Sequence, residues 1–225
     1  MILDSARGMN STQQRDYTLS LELAVKALKG RHPQEIARRS GAFVTEIRGR
    51  IFLEMVVLGR RCVIPHPDID VRWADSPEEI PPWQKALILH YLEKAPGIQL
   101  SGNLVTFQEV ESGAFYMPIF SARVLKPFVE AFGPRPDSMV EAAKRCFNGE
   151  ERGHGHRSVT VFAFPYVPIT LVLWEGDREF PPEGTLLYDS TVSECLSTED
   201  ITLVSEMLVR GLIECCLGGG KGKSP

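Results

Sequence analysis

FPYVPITLVLWEGDREFPPEGTLLYD, residues 164–189, decides the fold. Val167–Trp174 is a short continuous apolar run rich in β-branched residues, bounded by Pro165 and Gly176. A helix would need more length, so the run predicts a strand buried on both faces. Glu175 and Asp177 follow at once and place carboxylates at the mouth of that strand. Pro181-Pro182 and Gly184 then force a turn. A second apolar run, Thr185–Tyr188, is closed by Asp189 and Ser190. The stretch reads as a central strand, an acidic exit, a loop and a second strand. No catalytic signature accompanies it.

Working outward, Ser158–Phe164 reads as a strand entering this stretch, after a polar, glycine-bearing loop at Asn148–His156. Downstream, Ser197 and Asp200 have the spacing of a capping box, with Asp in place of the usual Glu. They open a helix whose stripe is Ile201, Val204, Leu208, Leu212 and Cys215, ended by Gly218-Gly219-Gly220. Upstream, Asp137–Phe147 is amphipathic, and Ser121–Phe132 repeats Val124, Phe128 and Phe132 at helical spacing. IQLSGNLVTFQEV (98–110) reads as two strands around a Ser101-Gly102-Asn103 turn. WQKALILHYLEKA (83–95) is apolar on most sides, the mark of a helix buried nearly all round. Arg50–Val57, Arg61–Ile64 and Ile69–Trp73 suggest an antiparallel meander. Two helices precede it, one from Thr18 to Gly30 and one from Pro33 to Ser40. The fold class expected is α+β: a single domain over residues 17–217, with a mixed or antiparallel sheet and several packed helices. Residues 1–16 are polar and aperiodic and are expected to be disordered, and the 218–225 tail is expected to be flexible.

The totals narrow the function only by exclusion. A chain of 225 residues with net charge −4 is one ordinary domain rather than two, and not a dedicated nucleic-acid binder. No apolar run approaches the roughly 20 residues of a membrane span. The N-terminus lacks the apolar core of a secretory signal, so a cytoplasmic location is expected. Charge is uneven: residues 31–61 carry seven Arg against three Glu, and residues 174–206 carry nine acids against one Arg. Mutual packing of these segments is the simplest expectation. The five cysteines are odd in number and lack CxxC spacing, so they form no secreted disulfide framework. At Cys215-Cys216 the adjacent Glu214 disfavours a thiolate, and redox work is not expected.

Several residues suit chemistry. Glu175, Asp177 and Asp189 flank buried strands and are the candidate catalytic carboxylates, for acid–base work or a hard cation. The ordinary alternative, and the favoured one, is that each caps a turn. Phe115 and Tyr116, with Arg123 after them, suit a planar anionic ligand beside His90 and Trp174. A tetrapyrrole-like or metal cofactor is one such ligand, with His90 as axial donor, though His90 reads first as a core histidine. His154 and His156 would share a metal if they lay on a strand, but two ligands are not a site. The tail GGGKGKS lacks the first glycine of a phosphate loop, since Leu217 stands there.

Two segments together resemble a known family. They carry His90-Tyr91-Leu92, Ser101-Gly102, Phe107, Gly113, Phe115-Tyr116, Phe120, Arg123, Trp174-Glu175-Gly176-Asp177, Phe180-Pro181, Asp189-Ser190 and Thr198-Glu199-Asp200. Over roughly Gln84–Arg210 the chain is similar to the proteins grouped as domain of unknown function 3786. The resemblance implies kinship with proteins of anaerobic bacteria and archaea, some with an attached iron–sulfur segment. No closely spaced cysteine cluster is present here, so no cluster-binding role carries over. The expected function is a ligand- or partner-binding accessory protein, with anaerobic cofactor or metal metabolism as the expected setting. The alternatives are a small enzyme using Glu175, Asp177 and His90, and a protein-interaction scaffold.

Overall fold

Hydrophobic alternation along Arg50–Val57 and the unbroken apolar run at Val167–Trp174 seed two separate antiparallel sheets. The computed structural model describes residues 11–218. Helices α1 (Ser11–Lys29) and α2 (Pro33–Ser40) lead into a four-stranded meander. Its strands are β1 (Phe43–Ile47), β2 (Arg50–Val57), β3 (Arg60–His66) and β4 (Arg72–Trp73). The first two hairpins turn on Arg48-Gly49 and Leu58-Gly59, all four residues left-handed, the turn geometry that matches strand twist.

Helix α3 (Pro82–Lys94) follows, then β5 (Leu104–Thr106). A long helical segment comes next: α4 (Gly113–Phe120), a π-helical turn over Ser121–Leu125, and α5 (Lys126–Phe132). After α6 (Pro136–Phe147) come β6 (Glu150–Arg152), β7 (Arg157–Phe164), β8 (Val167–Trp174) and β9 (Glu183–Asp189). The short α7 (Val192–Cys195) and the long α8 (Thr198–Gly218) complete the chain. The second sheet has the order β5-β9-β8-β7-β6, every pair antiparallel. The chain is thus a single α+β domain.

Strand β8 is the middle strand of that sheet, and Ile169, Leu171, Val172 and Leu173 are fully buried. It tolerates Pro168, which no central ladder should hold, because Pro168 lies opposite Phe162, where the β7–β8 register is broken by a bulge. Helix α8 is buried around most of its circumference, with Ile201, Val204, Leu208 and Leu212 inward and a Tyr188–Ser205 hydroxyl bond of 2.7 Å joining it to β9. Helix α3 is buried as the sequence predicts. Its Tyr91 stacks on Phe164 at 4.4 Å, donates to the Ser40 carbonyl at 2.6 Å and accepts from the Tyr166 amide at 3.2 Å. One side chain therefore ties α2, α3 and the β7–β8 turn. The two sheets are also linked directly, Leu58 N–H donating to the Ala163 carbonyl at 3.0 Å.

Several expectations are corrected. Helix α1 begins at Ser11, inside the segment expected to be disordered; residues 1–10 and 219–225 lie outside the described residues. Residues 98–103 are not a strand: the loop is held by side-chain bonds to Asp189, and only Leu104–Thr106 pairs. Strands β1 and β6, the second inside the loop expected at Asn148–His156, and helices α4 and α7 come in addition to the elements read from the sequence. The basic and acidic segments do not face each other through ion pairs: among the described residues, none joins 31–61 to 174–206. No helix among the described residues is long and apolar enough to cross a membrane.

Candidate functional site

The acidic exit of β8 and the turn between α5 and α6 enclose an open cleft of about 850 Å³. Its walls are Gly133–Asp137 and Glu175–Pro182. The two walls are held close at Gly133, where an added Cβ would lie 2.6 Å from the Val129 carbonyl oxygen and 2.8 Å from Pro182. Only glycine permits that approach. Asp177 shapes the β8–β9 loop: its Oδ1 accepts from the Glu179 and Phe180 amides at 2.7 and 2.8 Å, and those bonds hold its carboxyl below the ordinary range. Glu175 is exposed, and its amide donates to His156 Nδ1 at 2.8 Å. Asp137 on the opposite wall is paired with Arg157. Arg135, Arg178 and Glu179 carry no side-chain partner among the described residues, and the Phe180 ring stands 67% exposed. The cleft therefore offers two free guanidinium groups, two carboxylates and an apolar wall of prolines with one ring.

Asp189 is not in this cleft. Buried at the end of β9, it accepts from the amides of Ser101, Gly102 and Thr191 and from the hydroxyls of Ser101 and Thr191, at 2.7 to 3.1 Å. Burial alone would raise its pKa, but these donors pull it down to about 2. A carboxylate so occupied is a structural hub, not a base. Because the folded value lies below the ordinary 3.8, its stabilisation is present above about pH 4 and is lost as pH falls through about 2. Asp189→Asn should thus be clearly less stable than wild type near neutrality, with the difference closing between pH 4 and 2. Urea unfolding across that range checks this, and a difference independent of pH would show that the charge is immaterial.

His90 lies elsewhere, on α3, in a relay across three helices. Ser20 Oγ of α1 is 2.7 Å from His90 Nε2, and Asp200 Oδ1 of α8 is 2.9 Å from His90 Nδ1. Asp200 is also the capping residue read from the sequence, its Oδ2 2.6 Å from Ser197 Oγ, while its amide donates back to that hydroxyl at 3.2 Å. Burial would raise the Asp200 carboxyl's pKa, yet the bonds from His90 and Ser197 hold it low. Both imidazole nitrogens are engaged, so an axial metal bond would break one of them. Sequence periodicity signals nothing of this relay, because its members stand 70 and 110 residues apart.

The remaining ligand-binding candidates do not converge. Arg123 is spent on the nearly buried Glu206, its Nε 2.8 Å from Oε2, and Arg210 takes the other oxygen at 2.8 Å. Phe115 is 89% exposed on α4, and Tyr116 is half-buried. Trp174 is 40% exposed, its ring beside Gly155, and so is not the core residue the apolar run suggests. The strand emerges from cover at its last position. His154 and His156 sit in the exposed β6–β7 turn rather than on a strand. Among the described residues no group of three or more His, Cys, Asp or Glu is arranged to hold a metal.

Fold and cleft together define a single α+β domain built on a meander and a five-stranded antiparallel sheet, with an open polar cleft at the exit of the central strand. The chain belongs to the family described as Domain of unknown function (DUF3786), whose model matches residues 32–211. No curated protein and no solved structure matches the chain.

Proposed function

We propose that the protein binds a small zwitterionic molecule with an apolar part in the cleft between the β8–β9 loop and the α5–α6 turn, as an accessory rather than a catalyst. The reading rests on one observation: Arg135, Arg178 and Glu179 line the cleft without side-chain partners among the described residues, with an exposed Phe180 in the same lining and a volume of about 850 Å³. Binding sites for small molecules typically span about 300–1,000 Å³. A guanidinium grips a carboxylate through two parallel bonds, Glu175 and Glu179 suit an ammonium group, and the ring and prolines suit an apolar side chain. Free aromatic amino acids and dipeptides are the matching probes. Titration of the protein with such a panel, followed by amide chemical shifts, should move resonances of 133–137 and 175–182 saturably. Arg178→Ala should weaken the best probe about tenfold. Shifts confined to other surfaces, or none at millimolar probe, would reject the reading.

A second reading, a serine hydrolase, is favoured by the Ser20–His90–Asp200 relay, whose atoms match the order of a nucleophile, base and orienting acid. Against it, Ser20 lies inside a helix, where the neighbouring amides are committed to helical bonds and cannot form an oxyanion hole. It also lies outside the family-matched segment. A fluorophosphonate probe separates the two: labelling of Ser20 that is lost in Ser20→Ala would favour the hydrolase, and an unlabelled protein retires it.

A further inference from the structure

We infer that Cys146 and Cys215 form a reversible thiol–disulfide exchange site, whose co-reactant is a dithiol in the reducing direction and a small disulfide in the oxidising one. The two sulfurs are bonded although 69 residues separate them, joining the last turn of α6 to the last turn of α8. Spacing in the sequence gives no hint of the pairing, and the expectation that redox work is absent concerns only the adjacent Cys215-Cys216 pair, not this one.

Two features make the bond exchangeable rather than merely structural. Cys146 is exposed, so an external thiolate can reach its sulfur. Cys215 is half-buried, and Arg145 Nη2 donates to its carbonyl at 2.7 Å and contacts its sulfur at 3.4 Å. A cation at that sulfur stabilises the thiolate that leaves, which offsets the neighbouring Glu214, and a better leaving group speeds exchange. Cys216, by contrast, points along α6 toward the Ser138 carbonyl at 3.6 Å. Ser138 lies eight residues, about 12 Å of helix, from Cys146, so Cys216 is no partner in the exchange. Cys62 and Cys195 are buried, and burial drives both thiols up, to about 12 and about 11, which keeps them inert.

The step balances simply. One thiolate of the dithiol attacks Cys146 Sγ, forming a mixed disulfide as the Cys146–Cys215 bond breaks and Cys215 departs as the thiolate beside Arg145. The second thiol of the reagent then displaces Cys146. The protein gains two electrons and two protons, and the reagent leaves as a cyclic disulfide.

The test uses the 225-residue chain equilibrated with oxidised and reduced dithiothreitol at graded ratios, quenched, denatured, alkylated and weighed. Three alkylated thiols are expected at the oxidising end and five at the reducing end, with a Cys146–Cys215 cross-link in the oxidised peptide map. Arg145→Gln should slow reduction severalfold while leaving the circular dichroism spectrum unchanged, and Cys216→Ser should not alter the rate. Five alkylated thiols at every ratio, a different pair in the map, or a reduction rate indifferent to Arg145 would each overturn the inference.

Discussion

Replacing Tyr91 by alanine is expected to lower the unfolding free energy by about 3–5 kcal/mol, the usual cost of truncating a large buried aromatic. The ring is fully buried and stacked on Phe164, and its hydroxyl serves the Ser40 carbonyl and the Tyr166 amide. Tyr91→Phe isolates the second contribution. It keeps the stack but leaves a buried carbonyl and amide without their partner, at about 1–3 kcal/mol. Urea unfolding of the three proteins checks both numbers. A Tyr91→Phe variant as damaged as Tyr91→Ala would mean that the hydroxyl, not the ring, holds α2 and α3 together.

The second large effect is expected at Gly113, which opens α4. A Cβ there would lie 1.8 Å from the Phe107 carbonyl oxygen and 2.8 Å from Val110. The first obstacle is backbone, so no side-chain rotation relieves it. Gly113→Ala must displace either the short 3₁₀ turn at Phe107–Glu109 or the start of α4. Phe107 stacks on Phe120 at 3.8 Å, so the shift reaches the core. A loss of roughly 3 kcal/mol or more is expected, at the upper end for single substitutions. The melting temperature of Gly113→Ala measures it, and a variant that melts with wild type would show that the turn and helix part at little cost.

What was legible in the chain follows a physical rule. Features set by neighbours in sequence could be read: the burial of Val167–Leu173, the all-round burial of α3, and the Ser197–Asp200 cap are each decided within a few residues. Features decided by distant partners could not. Arg123 looks like a free anion binder until Glu206 is brought to it, and His90 looks like a core residue or an axial ligand until Ser20 and Asp200 close on it. Trp174 misleads for another reason. Apolar continuity shows where a strand runs but not where its cover stops, and the cover stops one residue short. The carboxylates divide likewise: Asp177 and Asp189 are consumed by the turns that their spacing suggests, whereas the cleft beside Glu175 depends on Gly133 and Pro182 meeting from segments far apart in sequence.

The π-helical turn between α4 and α5 resolves a problem of angular bookkeeping. Phe120, Val124, Phe128 and Phe132 are all buried, four residues apart each time. In a uniform α-helix each such step overshoots a full circle by about 40°, so three steps would carry Phe132 about 120° off the line set by Phe120. The wider turn at Ser121–Leu125 advances less per residue and rotates the later half back. A strict period of four can thus stay close to one face without supercoiling, because a single local loosening takes back most of the accumulated phase.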